Sequence, residues 1–467
     1  MKTLNQLKHF YFRFGFGLTL EDYLSFKKGE EFSAHKWLER QLKFNKTKPL
    51  PTSKTVKPFL PKDLAMNKAD RQEKIKEERK IILKINREWI KQMATNENPL
   101  QEKMALFWHD HFACSPKSSF MASSYIELIR REALGNFRSL LHGISKEPAM
   151  LLYLNNQQNK KGHPNENFAR EVMELFTLGL GNYTEQDVKE SARAFTGWSV
   201  GEDKKYRLNE RQHDFGKKVF FGEKKNWMGE EIIDRILEEK QAAEYVSGKI
   251  GKYFLGIQPS QDLQNELTEK FYNSDYEISS VIKALAESGE FWSEKNIGQD
   301  ILSPVELLVR MERDFQLNTD ESNFEIIVQK SLGQVIFQPP NVAGWPSGKD
   351  WIDTSTLPTR LSLSRAILLE NVIKSRKNKS FAQGEDLTEN LPKRLKKGLS
   401  AVPNIAAIDN AFGDLDYSTK TMEFAHWLLP ESVIANNEMI DVISRLNFKG
   451  TRGSLALIAA LPEYQLK

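Results

Sequence analysis

Two imidazoles and a carboxylate lie within three residues, at His109, Asp110 and His111, and aromatic residues flank them on both sides. Imidazole is the side chain that titrates nearest to neutral pH and is a common ligand of zinc and other transition metals. A carboxylate beside it can orient the ring, share a cation or transfer a proton. The segment 107–112 is therefore the strongest indication of chemistry in the chain.

Helical geometry separates the two imidazoles. If residues 99–113 form a helix at about 100° per residue, His111 shares an apolar stripe with Met104 and Phe107, and His109 points almost the opposite way. Both rings could then reach one ion only where the backbone leaves helical geometry. Two interpretations stay open with about equal weight. In one, His111 is a core histidine bonded to a carbonyl and His109 lies near the surface. In the other, both are metal ligands and His111 is also catalytic.

A second segment, 164–179, carries three carboxylates and an arginine. Glu166, Arg170 and Glu174 are spaced by four residues on the polar face of a predicted helix, and Glu171 lies at the edge of that face. Such pairs stabilise a solvated helix by only ~0.2–0.5 kcal/mol each. A solvated ladder is the favoured interpretation. In the functional alternative, Glu166 and Glu174 ligate a metal, Glu171 is a general acid or base, and Arg170 holds an anion.

The pair His213-Asp214 is a third candidate, with His213 as a metal ligand and Asp214 as a catalytic group. The alternative is a turn in which Asp214 accepts backbone N–H groups ahead of Gly216. Asp214-Phe215-Gly216 matches the magnesium motif of protein kinases literally. The other kinase motifs are missing from the sequence, so we discount this match.

A Pro-, Gly- and Trp-rich stretch supplies candidate substrate-binding residues at Asn341, Trp345 and Trp351. Indole and proline surfaces suit sugar rings or the side chains of a partner protein. The alternative, slightly favoured, is a loop packed by its own aromatic residues.

The elements that must position these groups are predicted to be helices. The fold expected is mainly α: a multi-helical globular protein with a hairpin or extended excursion near 201–225 and an ordered irregular loop near 336–358. The predicted helices span 69–93, 99–113, 121–141, 166–178, 184–197, 230–252, 260–272, 277–290 and 303–313. We expect a helical core over 1–373 with a charged loop–helix insertion at 46–98, a polar linker at 374–398, and a C-terminal helical segment at 399–467 that packs on the core.

Composition excludes several classes of protein. The 67 basic and 63 acidic residues of this 467-residue chain give a net charge of +4, too balanced for a nucleic-acid-binding face. Cys114 is the only cysteine, which rules out intrachain disulfides and Cys-rich metal sites. No apolar run reaches the ~18 residues of a membrane span. The first residues lack a signal-peptide pattern, which favours the cytoplasm; the alternative is the periplasm, reached by co-export with a partner.

Several motifs, taken in order, resemble DUF1800, a bacterial family of unknown function. They cover nearly the whole chain: His9-Phe10-Tyr11-Phe12-Arg13-Phe14-Gly15-Phe16-Gly17, the segment 107–112, Tyr153-Leu154-Asn155-Asn156 through Gly179, Tyr183-Thr184-Glu185-Gln186-Asp187-Val188, Ala194-Phe195-Thr196-Gly197-Trp198, His213-Asp214 with Gly216, Lys218 and Gly222, Ser303-Pro304-Val305-Glu306, Pro339-Pro340-Asn341-Val342 with Gly344-Trp345, and Leu461-Pro462-Glu463-Tyr464-Gln465.

The resemblance implies a mainly helical protein and assigns no catalytic residues. Genes of this family often lie beside those of a family, DUF1501, that resembles sulfatases and alkaline phosphatases and commonly carries export signals. The resemblance thus implies a possible partner and an extracytoplasmic pathway.

Two functional hypotheses follow. The first is a metal-assisted enzyme of hydrolase or ester-processing type, in which the His, Glu and Asp residues above bind a divalent metal ion and supply a base. The second is a non-catalytic helical scaffold that docks a sulfatase- or phosphatase-like partner or a polysaccharide. Its contact surfaces would be the loop at 341–351 and the helix at 69–93. Whether the three titratable segments meet in one cleft discriminates between them.

Overall fold

Side-chain caps begin several helices, among them the one that carries His109 and His111. The Asn98 side chain accepts the backbone N–H of Gln101, and Pro99 occupies the first helical position, where a missing N–H costs nothing. The predicted capping box of Thr184 and Asp187 is present, and Ser303 with Glu306 forms another. Local sequence signals therefore fix where these helices begin.

The computed structural model of the protein describes residues 3–43, 47–58, 67–319, 323–375, 401–434 and 450–467. The chain is mainly α, as the periodicity predicts. Its helices are α1 (Leu4–Arg13), α2 (Leu20–Lys27), α3 (Ala34–Lys43), α4 (Lys68–Thr95), α5 (Pro99–His111), α6 (Ser119–Glu132), α7 (Phe137–Lys146), α8 (Pro148–Tyr153), α9 (Asn167–Met173), α10 (Glu185–Ala194), α11 (Gly229–Glu238), α12 (Lys240–Leu255), α13 (Gln261–Asn273), α14 (Ile278–Glu287), α15 (Pro304–Asp314), α16 (Phe324–Leu332), α17 (Thr356–Ser375), α18 (Ile405–Ala411), α19 (Tyr417–Leu428), α20 (Glu431–Ile434) and α21 (Thr451–Ile458).

Two predicted helices are each divided in two. The stretch 121–141 breaks after Glu132, because Asn136 leaves helical geometry to accept the N–H of Ser139 and begin α7. The stretch 230–252 breaks at Glu239, which is extended. In both cases the apolar periodicity continues across the break, so the pattern alone did not reveal it.

The predicted helix at 166–178 ends differently from a regular helix. After α9, residues Glu174–Leu178 form a π-helical turn that ends at Gly179, whose φ of 79° favours glycine. π-helical turns widen a helix locally and often occur at functional sites.

The extended excursion consists of two small antiparallel hairpins. Strand β1 (Trp198–Val200) pairs with β2 (Tyr206–Leu208), and β3 (Lys218–Phe220) pairs with β4 (Glu223–Lys225). Phe221 and Gly222, both with positive φ, close the second hairpin in the tight turn that matches strand twist. The predicted irregular loop contains a short 3₁₀ helix, Gly348–Trp351, and leads into α17.

Helix α5 lies at the centre of the fold. Every residue of α5 beyond its proline is buried except Asp110, which is partly exposed. The C-terminal residues cover one side of this region: the Leu302 N–H donates to the Gln465 carbonyl oxygen at 2.9 Å, and the Arg310 guanidinium donates to the Leu428 carbonyl oxygen at 2.5 Å. The predicted linker at 374–398 lies almost entirely outside the described residues, and the domain boundaries stay a prediction.

No helix in the described ranges is both long and apolar enough to cross a membrane.

Candidate functional site along helix α12

His109 is buried, contrary to the interpretation that placed it near the surface. Its ring stacks on Trp345 with 5.3 Å between ring centroids, and Nε2 accepts the Phe337 N–H at 3.3 Å. Burial lowers the pKa of His109 to about 3, so the ring is neutral. The helical geometry predicted the wrong exposure for His109, because the loop at 336–345 covers the face of α5 opposite His111. His109 thus holds that loop in place.

Asp110 is held by the same loop. Its carboxylate accepts the Trp345 N–H at 2.8 Å. A β-carbon on Gly344 would overlap this carboxylate and lie 2.7 Å from the Asp110 carbonyl oxygen. Burial raises the pKa of Asp110 to about 6, although the Trp345 N–H and the charge of Lys249 oppose the rise. A partly exposed carboxyl that titrates near neutrality can both accept and release a proton.

His111 lies in the apolar stripe, as the helical geometry predicts. Its Nε2 contacts the Phe176 carbonyl oxygen at 3.1 Å, and aromatic rings surround it. Burial, together with the charge of Lys249, lowers its pKa well below the usual range. These contacts match those of a core histidine. They also bring α5 against the π-helical turn at 174–178.

The carboxylates of 166–174 form a surface ladder with altered partners. Arg170 makes two hydrogen bonds of 2.7 Å to Glu185 and a weaker one of 3.3 Å to Glu166. The predicted pairing of Arg170 with Glu174 is wrong: Glu174 accepts the Tyr183 hydroxyl instead. The backbone keeps the four-residue spacing, since the Glu174 N–H donates to the Arg170 carbonyl oxygen, but Glu185 takes the guanidinium and Tyr183 takes the Glu174 carboxylate. Arg170 is therefore already occupied by carboxylates.

Glu171 lies apart from that ladder and is partly exposed. Burial and the neighbouring charge of Glu174 raise its pKa, and Arg170 opposes the rise.

His213 and Asp214 lie at a separate turn. His213 Nδ1 contacts the Thr196 carbonyl oxygen at 2.7 Å, and Asp214 accepts the Gly216 N–H at 2.8 Å and pairs with Arg193 at 2.8 Å. These are the contacts expected of the turn interpretation. The structure thus places His111 against Phe176, in the π-helical turn at the end of the second segment, and leaves His213 with Thr196.

The Trp-rich loop turns its indoles inward. Trp345 and Trp351 are 8% and 5% exposed, while Asn341 is exposed and its side chain accepts the Ala343 N–H. The packing of Trp345 on His109 agrees with a loop packed by aromatic residues. Substrate binding by Asn341, Trp345 and Trp351 stays a prediction.

Three residues of α12 run beside Asp110 and His111. Tyr245, Lys249 and Tyr253, spaced by four residues and each partly exposed, form what we call the α12 row. At one end, the Tyr245 hydroxyl donates to the Leu175 carbonyl oxygen in the π-helical turn. In the middle, Lys249 faces the charge of Asp110. At the other end, the Tyr253 ring packs against Phe107, 5.2 Å between centroids.

A buried charge network lies at the Tyr253 end of the row. Glu306 accepts from both Lys103 and Lys467, and Lys467 also pairs with Asp300 at 3.4 Å, which pairs in turn with Arg13 at 3.0 Å. Although burial opposes it, the charges of Lys103 and Lys467 hold the pKa of Glu306 well below its usual range. Burial lowers the pKa of Lys103 to about 8 against the pull of Glu306.

The network joins motifs that are far apart in the sequence. Arg13 comes from the first motif, Glu306 from the motif at 303–306, and Lys467 lies two residues after the last. Gly348, in the Trp-rich loop, lies near Asp300: a β-carbon there would be 3.8 Å from the carboxylate. The loop therefore reaches from Asp110 at one end to Asp300 at the other.

Within the residues that the structure describes, no three His, Cys, Asp or Glu side chains group closely enough to hold a metal ion. The metal ligands predicted from the sequence stay a prediction.

Sequence reasoning missed Lys249 and Tyr253 and undervalued Asp110. In the sequence, the α12 row resembles an ordinary helical stripe, because aromatic and lysine residues at four-residue spacing are typical of helix packing. A helical wheel cannot show that a loop more than 200 residues away packs against Asp110. The signal that could have found the site is the occurrence of Lys103, Asp110 and Glu306 within or beside the family motifs.

The comparisons with known proteins agree with the motifs. No curated protein and no solved structure matches the chain. A family model described as a protein of unknown function (DUF1800) matches residues 9–466. The chain belongs to the DUF1800 family.

Proposed function

We propose that the protein is an enzyme of hydrolase or ester-processing type whose active site lies along the α12 row. The observation that carries this proposal is the environment of Asp110. Its carboxyl is partly exposed, titrates at about 6 and faces an ammonium group, Lys249, on the neighbouring helix. Perturbed titratable groups that have a specific charge partner are concentrated at functional sites.

The roles follow from the position of each group. Asp110 is the general acid or base, because its pKa lies near the working pH. Lys249 stabilises negative charge that develops on the substrate. The Tyr253 hydroxyl is a neutral donor, since burial, then the charge of Glu306, raises its pKa well above the usual range.

Glu171 is the alternative acid or base, on the other side of the π-helical turn. Arg170 is less suited to holding a substrate anion, because Glu185 and Glu166 already occupy its guanidinium.

The test is hydrolysis of a panel of chromogenic esters of carboxylic, phosphoric and sulfuric acids, together with glycosides. We expect one class to be hydrolysed and Asp110→Asn to lower kcat by about 10²–10⁴-fold, the range of general acid–base catalysis. Asp262→Asn, at an exposed position on α13, is the matched control and should leave kcat unchanged. Full activity in Asp110→Asn, or no hydrolysis of any class, counts against the enzyme and in favour of the scaffold.

A divalent metal ion remains part of the proposal in its metal-assisted form. His111 Nδ1 and His213 Nε2 are buried without hydrogen-bond partners, so each has a lone pair available to a metal. Metal analysis of protein purified without an affinity tag tests this form. One bound equivalent is expected, and a metal-free, active protein would contradict it.

The partner and the compartment are proposals that rest on the resemblance. A DUF1501-like partner of sulfatase or phosphatase type would act on anionic esters, which suits a site that presents Lys249. Co-purification from native extract, with and without Trp345→Ala, tests the association. Cell fractionation then discriminates between cytoplasm and periplasm.

A further inference from the structure

We infer that Lys249 and Tyr253 form a receptor for an oxyanion, a phosphoryl, sulfuryl or carboxylate group of the substrate, an inference that rests on the proposed function and gives it a substrate class. The two side chains follow each other by four residues on one face of α12, so their polar ends can reach the same bound group.

Both groups are hydrogen-bond donors without an acceptor. The Tyr253 hydroxyl is buried and has no partner, although buried polar groups in proteins are nearly always paired. The Lys249 ammonium makes no hydrogen bond or ion pair with any described residue; it lies over the Tyr245 ring, 5.4 Å from the centroid. A ligand that supplies several acceptor oxygens would satisfy both donors.

The surrounding charge also favours an anion. The network beside Tyr253 contains four buried cations, Arg13, Lys103, Arg360 and Lys467, and two carboxylates, Asp300 and Glu306. Cationic side chains therefore outnumber side-chain carboxylates in this network by four to two.

The geometry of the network directs this excess charge toward Tyr253. The Lys103 and Lys467 ammonium groups lie 5.7 and 5.3 Å from the centroid of the Tyr253 ring. Arg13 Nε and Arg360 Nη1 are also buried without partners. Unused donors and unbalanced positive charge thus lie around the same tyrosine.

Carboxylates also act on the row: Asp110 on Lys249 and Tyr253, Glu306 and Asp300 on Tyr253, and Glu174 on Tyr245. The Asp110 carboxylate is already engaged by the Trp345 N–H. A general acid beside an oxyanion receptor is the arrangement that ester hydrolysis needs.

Anion-dependent thermal unfolding of the full chain tests the receptor. Sulfate, phosphate and acetate are titrated separately against chloride at matched ionic strength. We expect at least one of them to raise Tm saturably, as a ligand that binds only the folded state does. Tyr253→Phe and Lys249→Met should each weaken that anion's apparent affinity about tenfold or more, and circular dichroism checks that both variants fold.

Two matched controls separate the receptor from general charge effects. Tyr272→Phe removes a hydroxyl that is bonded elsewhere, to the Glu238 carbonyl oxygen, and Lys252→Met removes an exposed lysine from the same helix. Both should keep the wild-type affinity. Equal anion stabilisation in wild type, Tyr253→Phe and Lys249→Met would overturn the inference, as would no saturable effect of any anion.

The outcome is independent of the activity assay. Hydrolysis that depends on Asp110, without anion binding, would contradict the receptor and still support the proposed enzyme. Anion binding that depends on Tyr253, without hydrolysis, would support the receptor and contradict the proposed enzyme.

Discussion

Glu102 and Lys103 are neighbours in the sequence, yet they enter two buried charge networks of different character. Glu102 accepts from Arg130 at 2.7 and 3.0 Å, from the Trp89 indole at 2.8 Å and from Asn96 at 2.7 Å. Both oxygens are used, and the Arg130 guanidinium also pairs with the partly exposed Glu127 at 3.3 Å, so its charge is fully countered. Although burial opposes it, the charge of Glu102 raises the pKa of Arg130.

Lys103 belongs to a network that does not balance. Its cations outnumber its carboxylates, Tyr253 and Arg360 keep unused donors, and burial lowers the pKa of Lys103 against the pull of Glu306. A fully satisfied buried network rigidifies a fold. A network in which buried donors lack acceptors destabilises the folded state. Such exceptions are expected at functional sites. Two adjacent residues of one helix thus separate a structural side from a candidate functional side.

The largest expected effect is on the satisfied side. Arg130→Met leaves Glu102 buried without its cation and should lower the free energy of unfolding by about 3–5 kcal/mol. The matched variant Lys103→Met should lower the free energy of unfolding by less than half of that amount, because Lys467 still pairs with Glu306. Urea unfolding of both variants measures the difference. A larger loss for Lys103→Met would abolish the distinction between the two networks.

The second effect concerns pH. The pKa of Lys103 is about 8 in the folded protein and near 10.5 in the unfolded chain, so the unfolded chain binds more protons between these values. Stability attributable to Lys103 therefore rises with pH across that window, by up to about 3 kcal/mol. The difference in unfolding free energy between wild type and Lys103→Met, measured along the pH axis, isolates this gain. A difference that does not vary with pH would contradict it.

The third effect sharpens the functional assignment. Because burial raises the folded-state pKa of Asp110 from 3.8 to about 6, the folded protein binds this proton more tightly, and wild type loses stability as pH rises through that window. Asp110→Asn keeps an acceptor for the Trp345 N–H and removes the loss of stability that wild type shows as pH rises. The variant should thus be more stable than wild type by about 1–2 kcal/mol at a pH of about 8.

At a pH of about 3 the two proteins should be equally stable, because the Asp110 carboxyl is then largely protonated in both folded and unfolded states. Thermal unfolding at the two pH values measures this. A variant that is less stable at both would indicate that Asp110 is a structural residue.

The smallest effect compares two tyrosines. The Tyr125 hydroxyl donates to the Phe112 carbonyl oxygen at 2.5 Å, whereas the Tyr253 hydroxyl has no partner. Tyr125→Phe should cost about 1 kcal/mol, the usual net value of a hydrogen bond. Tyr253→Phe should cost nothing in anion-free buffer. Equal losses in the two variants, measured by urea unfolding, would show that the Tyr253 hydroxyl is satisfied in the folded protein.

The sequence allowed much of the fold to be predicted and little of the site. Helical periodicity and caps such as Thr184 with Asp187 are local signals, and they place most helices within a few residues. Glu174 shows where local reasoning ends, because residues beyond its own helix, Tyr183 and Glu185, take the partners that its four-residue spacing predicted. Asp110 and Tyr253 show the larger limit. What makes each of them unusual is supplied by residues distant in the chain, Trp345 and Lys467, and periodicity carries no information about such contacts.

The close approach of Gly344 to Asp110 has a consequence for engineering and for natural variation alike. Any side chain at position 344 must push the carboxylate aside, and the φ of 87° there already disfavours residues other than glycine. Gly344→Ala would therefore retune the proton affinity of Asp110 by moving it toward solvent, with every ionisable group left chemically intact. Gly344 thus helps to set the pKa of Asp110, although it carries no side chain itself.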